Sequence, residues 1–171
     1  MSQSINLYKQ LANHKLFNKS IKFGLKRIKL ALYKLGNPEK KLNNVISVIG
    51  ESGKFTTLYS LKTFIEANNQ IVTTHISPSI RDIKERFYMG KKKYLSHKQI
   101  KETIKQIEKL KIPLTVYEVL TLIYILNASK INADYNIMET GALWRLDSNN
   151  VIDFPKIQIC TNINKQHLNF L

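Results

Sequence analysis

Ile21, Leu25, Ile28, Leu32 and Leu35 recur at spacings of four and three, the apolar stripe of an amphipathic helix, with Lys22, Lys26, Lys29 and Lys34 off the stripe. Gly36, Asn37 and Pro38 then supply a helix stop. Residues 45–49 form a short apolar, β-branched run closed by Gly50 and predict a buried strand. A glycine-bearing turn, a helix over about residues 56–67 and a second strand at residues 71–74 follow, so the three elements predict a βαβ unit. Ser77-Pro78 breaks the chain. Ser96 with Gln99, and Thr115 with Glu118, have capping-box spacing and predict helices at about 97–111 and 116–128, separated by Pro113. Residues 135–138 and 157–160 predict further strands of the same sheet. The order βαβ, two helices, two strands predicts a nucleotide-binding α/β layer, with no internal repeat and no low-complexity linker.

Composition narrows the class. Of 171 residues, 43% are hydrophobic and 23% charged, which excludes a wholly disordered, collagenous or disulfide-stapled chain. The longest largely apolar stretch, residues 119–126 with Thr121 as its one polar residue, is far short of the roughly 20 residues that cross a bilayer, so no transmembrane segment is expected. The first 20 residues hold no apolar core followed by a small-residue cleavage site, and a single cysteine, Cys160, has no internal partner; both readings favour the cytoplasm.

Charge is the unusual property: 27 Lys and Arg against 12 Asp and Glu give +15. That surplus suits an anionic partner, whether nucleotide, nucleic acid or membrane surface. Only Arg27, Arg81, Arg86 and Arg145 are arginines, so the forked guanidinium suited to bases and phosphates is scarce and nucleic acid is not favoured. A lysine-rich binder using the first helix and Lys91, Lys92 and Lys93 remains the alternative from another class.

The chemistry begins at residues 50–57, Gly-Glu-Ser-Gly-Lys-Phe-Thr-Thr, between the first strand and its helix. Small residues there let backbone N–H groups face a phosphate, the helix N-terminus adds partial positive charge, Lys54 can reach the β and γ phosphates, and a hydroxyl can hold a divalent cation. The strict phosphate-loop pattern is not met, because Val48 takes the first glycine position and Phe55 follows the lysine.

Six ordered segments resemble the folylpolyglutamate synthase family, which includes bifunctional dihydrofolate synthases and lies in the Mur ligase superfamily. Residues 23–28 and 35–38 match its glycine-leucine helix ending in LGNP, and residues 50–57 match its GTNGKGST loop in spacing. Ile76 to Ile80 with the Glu85-Arg86 pair correspond to its TSPHL segment and ER pair, and Thr115 to Glu118 to its T-x-F-E helix start. Residues 139–150 match EVGLGGRLDATN, and residues 161–167 match TNIGLDH. Departures are Phe55 for a glycine, Leu143-Trp144 for a Gly-Gly pair, Ser79 for a histidine, Gln166 for an aspartate and Lys22 for an acidic residue of the bifunctional members.

The resemblance implies an α/β fold, P-loop NTPase-like and similar to the Mur ligase central domain, a layered sheet with flanking helices that is incomplete. Residues 1–44 would form a basic helical segment packed on a partial ATP-binding domain, residues 45–171, with the family's C-terminal domain absent. It implies ATP-dependent ligation of L-glutamate to the γ-carboxylate of a folate through an acyl phosphate, with ATP and Mg²⁺ as cofactors and folate and L-glutamate as substrates. Glu51, Ser52, Gly53, Lys54 and Thr56 would hold the nucleotide, and Ser77, Glu139 and His167 the metal. Lys54, Glu139 and His167 would carry the catalysis. Thr115, Val116, Tyr117 and Glu118, with Leu146, Asp147 and Ser148, would face the pterin-bearing substrate. The shortened chain is expected not to turn over alone; a separately encoded C-terminal half would complete it, and a non-catalytic remnant that binds nucleotide or folate is the alternative.

Overall fold

The structure, a computed structural model, describes residues 11, 13, 14, 17, 24–141 and 144–163, with the backbone only at Trp144. The helices are α1 (Lys26–Lys34), α2 (Lys54–Ala67), α3 (His97–Glu108) and α4 (Val116–Ala128). The strands are β1 (Val45–Ile49), β2 (Val72–His75), β3 (Phe87–Tyr88), β4 (Tyr135–Glu139) and β5 (Ile157–Cys160). They form one sheet in the order β3-β2-β4-β1-β5, all parallel except the β2–β3 pair.

The two strands of the expected βαβ unit are parallel but not neighbours, because β4 lies between them. Burial explains the placement. Ile137 and Met138 on opposite faces of β4 are both fully buried, so this strand needs cover on both sides. The largely exposed β5 takes the edge. The two-residue β3 was too short to register in the hydrophobic pattern.

Alternation along the strands divides the core in two. Val45 and Met138 join the larger cluster with α1, α3 and α4, whereas Ile46, Val48, Val72 and Ile137 pack with Leu58 of α2 on the other face. The result is three layers, helices on both sides of a sheet. Helix α4 is the centre of the larger layer: from Glu118 to Ala128 every residue is buried, as expected of a helix apolar around most of its circumference. Helix α3 buries only the stripe of Ile100, Thr103, Ile104 and Ile107.

The stripe of α1 buries Ile28, Ala31 and Leu32, with Leu25 and Leu35 packed at its margins; residues 21–23 lie outside the described residues. Gly36 and Asn37 take left-handed conformations and Pro38 opens the next short turn, which ends the helix as expected. Both capping boxes form. Helix α3 stops at Glu108, short of the expected 111, where Lys111 turns left-handed. Helix α2 starts at Lys54, two residues earlier than expected, directly after left-handed Gly53.

Candidate functional site

Parallel strands place the carboxyl ends of β1, β2, β4 and β5 along one edge of the sheet, the usual location for ligands in open α/β sheets. The β1 end leads into the loop of residues 50–53. Gly50 (φ 126°) and Gly53 (φ 81°) occupy conformations that favour glycine. At Gly50 space decides as well, because a Cβ there would lie 2.3 Å from Thr161 Oγ1 and 2.8 Å from the Asn162 carbonyl oxygen.

No side chain caps α2 at its N-terminus, which leaves first-turn N–H groups for an anionic acceptor. The Lys54 ammonium donates to the carbonyls of Gly50 (2.6 Å) and Glu51 (3.1 Å), so it curls over the loop. Ser52 and Thr56 are exposed and Glu51 is half-buried. Phe55 stands outside the loop, its ring stacked along α2 on Tyr59 at 5.8 Å.

The loop is fastened from the end of β5. The N–H groups of Glu51 and Ser52 donate to Asn162 Oδ1 at 3.2 and 2.8 Å, and Glu51 N–H also reaches the Asn162 carbonyl at 3.2 Å. The Thr161 hydroxyl donates to the Ser52 carbonyl at 2.7 Å.

The ends of β2 and β4 meet beside this loop. Glu139, 3% exposed, accepts the Ser77 backbone N–H at 3.1 Å through Oε2. Burial pushes the Glu139 carboxyl up, against the pull of the Ser77 N–H and of the Lys54 and Arg86 charges. Lys54, Ser77 and Glu139 thus share one edge. His167, the third expected metal ligand, lies outside the described residues, as does Leu143. Among the described residues no group of three or more His, Cys, Asp or Glu side chains gathers around a common point.

Tyr117 and Asp147, from residues 115–118 and 146–148, come together beside Ser77 and Glu139. Thr115 and Glu118 hold each other in the capping box, and Glu118 Oε2 also pairs with Arg27 Nε at 3.1 Å. Val116 packs against the core. Tyr117 lies under Gly141, with no room for a Cβ there, since one would sit 2.5 Å from its hydroxyl. Burial first, and then the Asp147 carboxylate, push the Tyr117 phenol up to about 12. Asp147 accepts the N–H groups of Gly141 (3.0 Å) and Asn149 (2.9 Å), which sets the loop after β4. Ser148 shares a hydrogen bond with Thr121 at 2.7 Å, while Leu146 is exposed.

Three residues here escaped the sequence reading. Asn149 donates to the Glu139 carbonyl at 2.7 Å and shares a contact with His75 Nδ1 at 3.2 Å. His75 is fully buried between the Phe87 and Tyr124 rings. Asn149 and Asn162 fall inside the matched segments but away from the positions given roles, whereas a lone histidine in an apolar strand carries no signal of its own.

No family model matches the chain. The dihydrofolate synthase/folylpolyglutamate synthase of Buchnera aphidicola subsp. Schizaphis graminum is 31% identical over 157 residues, covering 91% of this chain and 37% of the relative. The protein of the same name from Bacillus subtilis is 28% identical over 159 residues, covering 88% of this chain and 36% of the relative. The structure of Escherichia coli FolC in complex with DHPP and ADP superposes with a TM-score of 0.89 at 28% identity, covering 99% of this chain and 40% of that one. The chain belongs to the dihydrofolate synthase/folylpolyglutamate synthase family.

A bifunctional folylpolyglutamate synthase/dihydrofolate synthase with Mn, AMPPNP and L-glutamate bound superposes with a TM-score of 0.77 at 26% identity, covering 90% of this chain and 36% of that one. Against these synthases the chain spans between 36% and 40% of their length. Its layered sheet with flanking helices is the corresponding part of the synthase fold. Among the described residues no helix is long and apolar enough to cross a membrane.

Proposed function

We propose that this chain is the nucleotide- and folate-handling part of an ATP-dependent amide ligase that adds L-glutamate to the γ-carboxylate of a folate or of its glutamate tail. One observation carries the reading: Lys54, Ser77 and Glu139 converge at the carboxyl ends of parallel strands, beside an uncapped helix N-terminus. The site fits the groups it would receive. Lys54 and the first-turn N–H groups of α2, with Glu51, Ser52, Gly53 and Thr56 around them, suit a polyphosphate. The carboxylate of Glu139 and the hydroxyl of Ser77 are hard oxygen donors suited to Mg²⁺, and His167 is assigned as the third.

The nucleotide and its metal supply activation of the folate carboxylate as an acyl phosphate and neutralisation of the charge that develops on the leaving phosphates. The chain's own task is positioning. On binding, the Lys54 ammonium exchanges the Gly50 and Glu51 carbonyls for phosphate oxygens. The Glu139 carboxylate would hold the cation against the cost of its own burial, helped by the Ser77 N–H. Thr115, Val116, Tyr117 and Glu118, with Leu146, Asp147 and Ser148, line the folate side, where Glu118 is already held by Arg27.

Residues 45–171 are assigned as the nucleotide domain and residues 1–44 as a basic segment packed on it. The remaining length of the relatives, in this chain or a second one, supplies the rest of the reaction, and the reading places it in the cytoplasm, where exposed Cys160 stays reduced.

Thermal unfolding with and without Mg-ATP tests the proposal. At about a hundredfold excess over Kd, binding stabilises by about 2.7 kcal/mol, or roughly 5–10 °C for a chain of this size. The rise is expected in the wild type and lost in Lys54→Ala. No rise in the wild type overturns the reading, and retention of anion binding in Lys54→Ala with a steep fall in salt points to a general lysine-rich binder instead.

A further inference from the structure

The loop of residues 50–53 is held by two residues that have no part in the reading above, Thr161 and Asn162. Thr161 and Asn162 leave the end of β5 and cross the loop at the point where Gly50 makes room for them, with no space for even one methyl group. Between them they engage the loop on both of its hydrogen-bonding faces. Asn162 Oδ1 accepts from the N–H groups of Glu51 and Ser52, and the Thr161 hydroxyl, with one proton to give, donates to the Ser52 carbonyl at 2.7 Å with Ile49 O also in reach at 3.2 Å. Continuation of the β5 ladder adds the Thr161 N–H to the Ile49 carbonyl at 2.9 Å.

These contacts sort the loop's donors. Residues 51 and 52 give their N–H groups to Asn162, whereas no side chain caps the start of α2 beyond Gly53. An anion arriving at the loop therefore meets free N–H donors in the first turn of α2 and the Lys54 ammonium, while the backbone amides of Glu51 and Ser52 are already engaged. The carboxamide is neutral, so it can satisfy two donors without adding negative charge beside a phosphate. A carboxylate at the same place would satisfy them too, but at an electrostatic cost to an anionic ligand.

We infer that Thr161 and Asn162 are positioning residues: a clamp that fixes residues 50–52 so that the α2 N-terminus and Lys54 are presented to the nucleotide's phosphates. The inference rests on the nucleotide reading above, and it makes a claim of its own about the free chain, namely that the amides of Glu51 and Ser52 are tied down before any ligand binds.

Two readouts on the full chain separate the two ideas. The first is amide exchange without nucleotide. Slow exchange at Glu51 and Ser52 in the wild type, accelerated about tenfold or more in Asn162→Ala, supports the clamp. Fast exchange in the wild type, or protection unchanged by the substitution, overturns it. The second is the Kd for Mg-ADP by calorimetry. Asn162→Ala and Thr161→Val are expected to weaken binding about tenfold, the scale of one or two lost hydrogen bonds. Thr161→Ser, which keeps the hydroxyl, restores it, and Asn162→Asp keeps the amides protected yet weakens binding through its charge. Unchanged or tighter binding by Asn162→Ala overturns the positioning role, since the carboxamide would then be competing with the phosphate for the loop. Failure of the wild type to bind Mg-ADP overturns the nucleotide reading, and amide exchange still decides the clamp.

Discussion

At the scale of single residues, two glycines of one loop have different reasons to be glycine. Gly53 needs only its left-handed backbone, since nothing lies within 4 Å of a Cβ placed there. Gly50 needs both its backbone conformation and the empty space against Thr161 and Asn162. Gly50→Ala is therefore expected to cost about 1–3 kcal/mol through strain and displacement of its neighbours, and Gly53→Ala nearer the low end, about 1–2 kcal/mol. Urea midpoints of the two variants check this, and equal losses would show that space at Gly50 does not matter. Lys54 and the glycines could be read in the sequence because they sit within five residues of one another. Asn162 could not be read as their partner, because that contact joins positions more than a hundred residues apart and no local pattern encodes it.

Elements show a similar division. The capping boxes of α3 and α4 were legible because they are local, each satisfying donors within a single turn. Thr115→Ala removes the acceptor for the Glu118 N–H and is expected to cost about 1 kcal/mol. For a chain of this size that is a fall of roughly 2–4 °C in thermal midpoint, and no fall would mean that the Arg27 pair holds the start of α4 unaided. Strand existence was legible for four of the five strands, since apolar β-branched runs declare themselves. Strand order was not. The intervention of β4 between β1 and β2 follows from burial on both faces, a property of the assembled layers and not of residues 135–139 read alone. The site inherits this limit: Glu139 and Ser77 were each placed by resemblance, but their hydrogen bond exists only because β4 is the neighbour of β2.

For the molecule as a whole, His75 makes stability depend on pH. Burial, and then the Arg86 charge, lower its pKa from 6.5 to about 3, with the Asn149 contact working weakly the other way; the Phe87 and Tyr124 rings close the remaining faces. The unfolded chain binds this proton below about pH 6.5 and the folded chain does not. Its contribution is thus fully present above 6.5 and is lost as pH falls from there towards 3, at up to about 1.4 kcal/mol per pH unit. Glu139 has the opposite sign, because its raised carboxyl favours the folded state as pH falls through the range just above 4.5. Denaturant midpoints between pH 7 and 5 are expected to drop in the wild type and to drop less in His75→Gln; parallel slopes would remove His75 as the cause.

Among the described strands β5 is the sheet's edge, paired with β1 alone, and it also anchors the loop of residues 50–53. A loop moored to an edge is only as steady as that edge. Sheet margins fray more often than sheet centres, so under the proposed nucleotide reading the lifetime of a bound phosphate would follow how often this outermost described strand peels away.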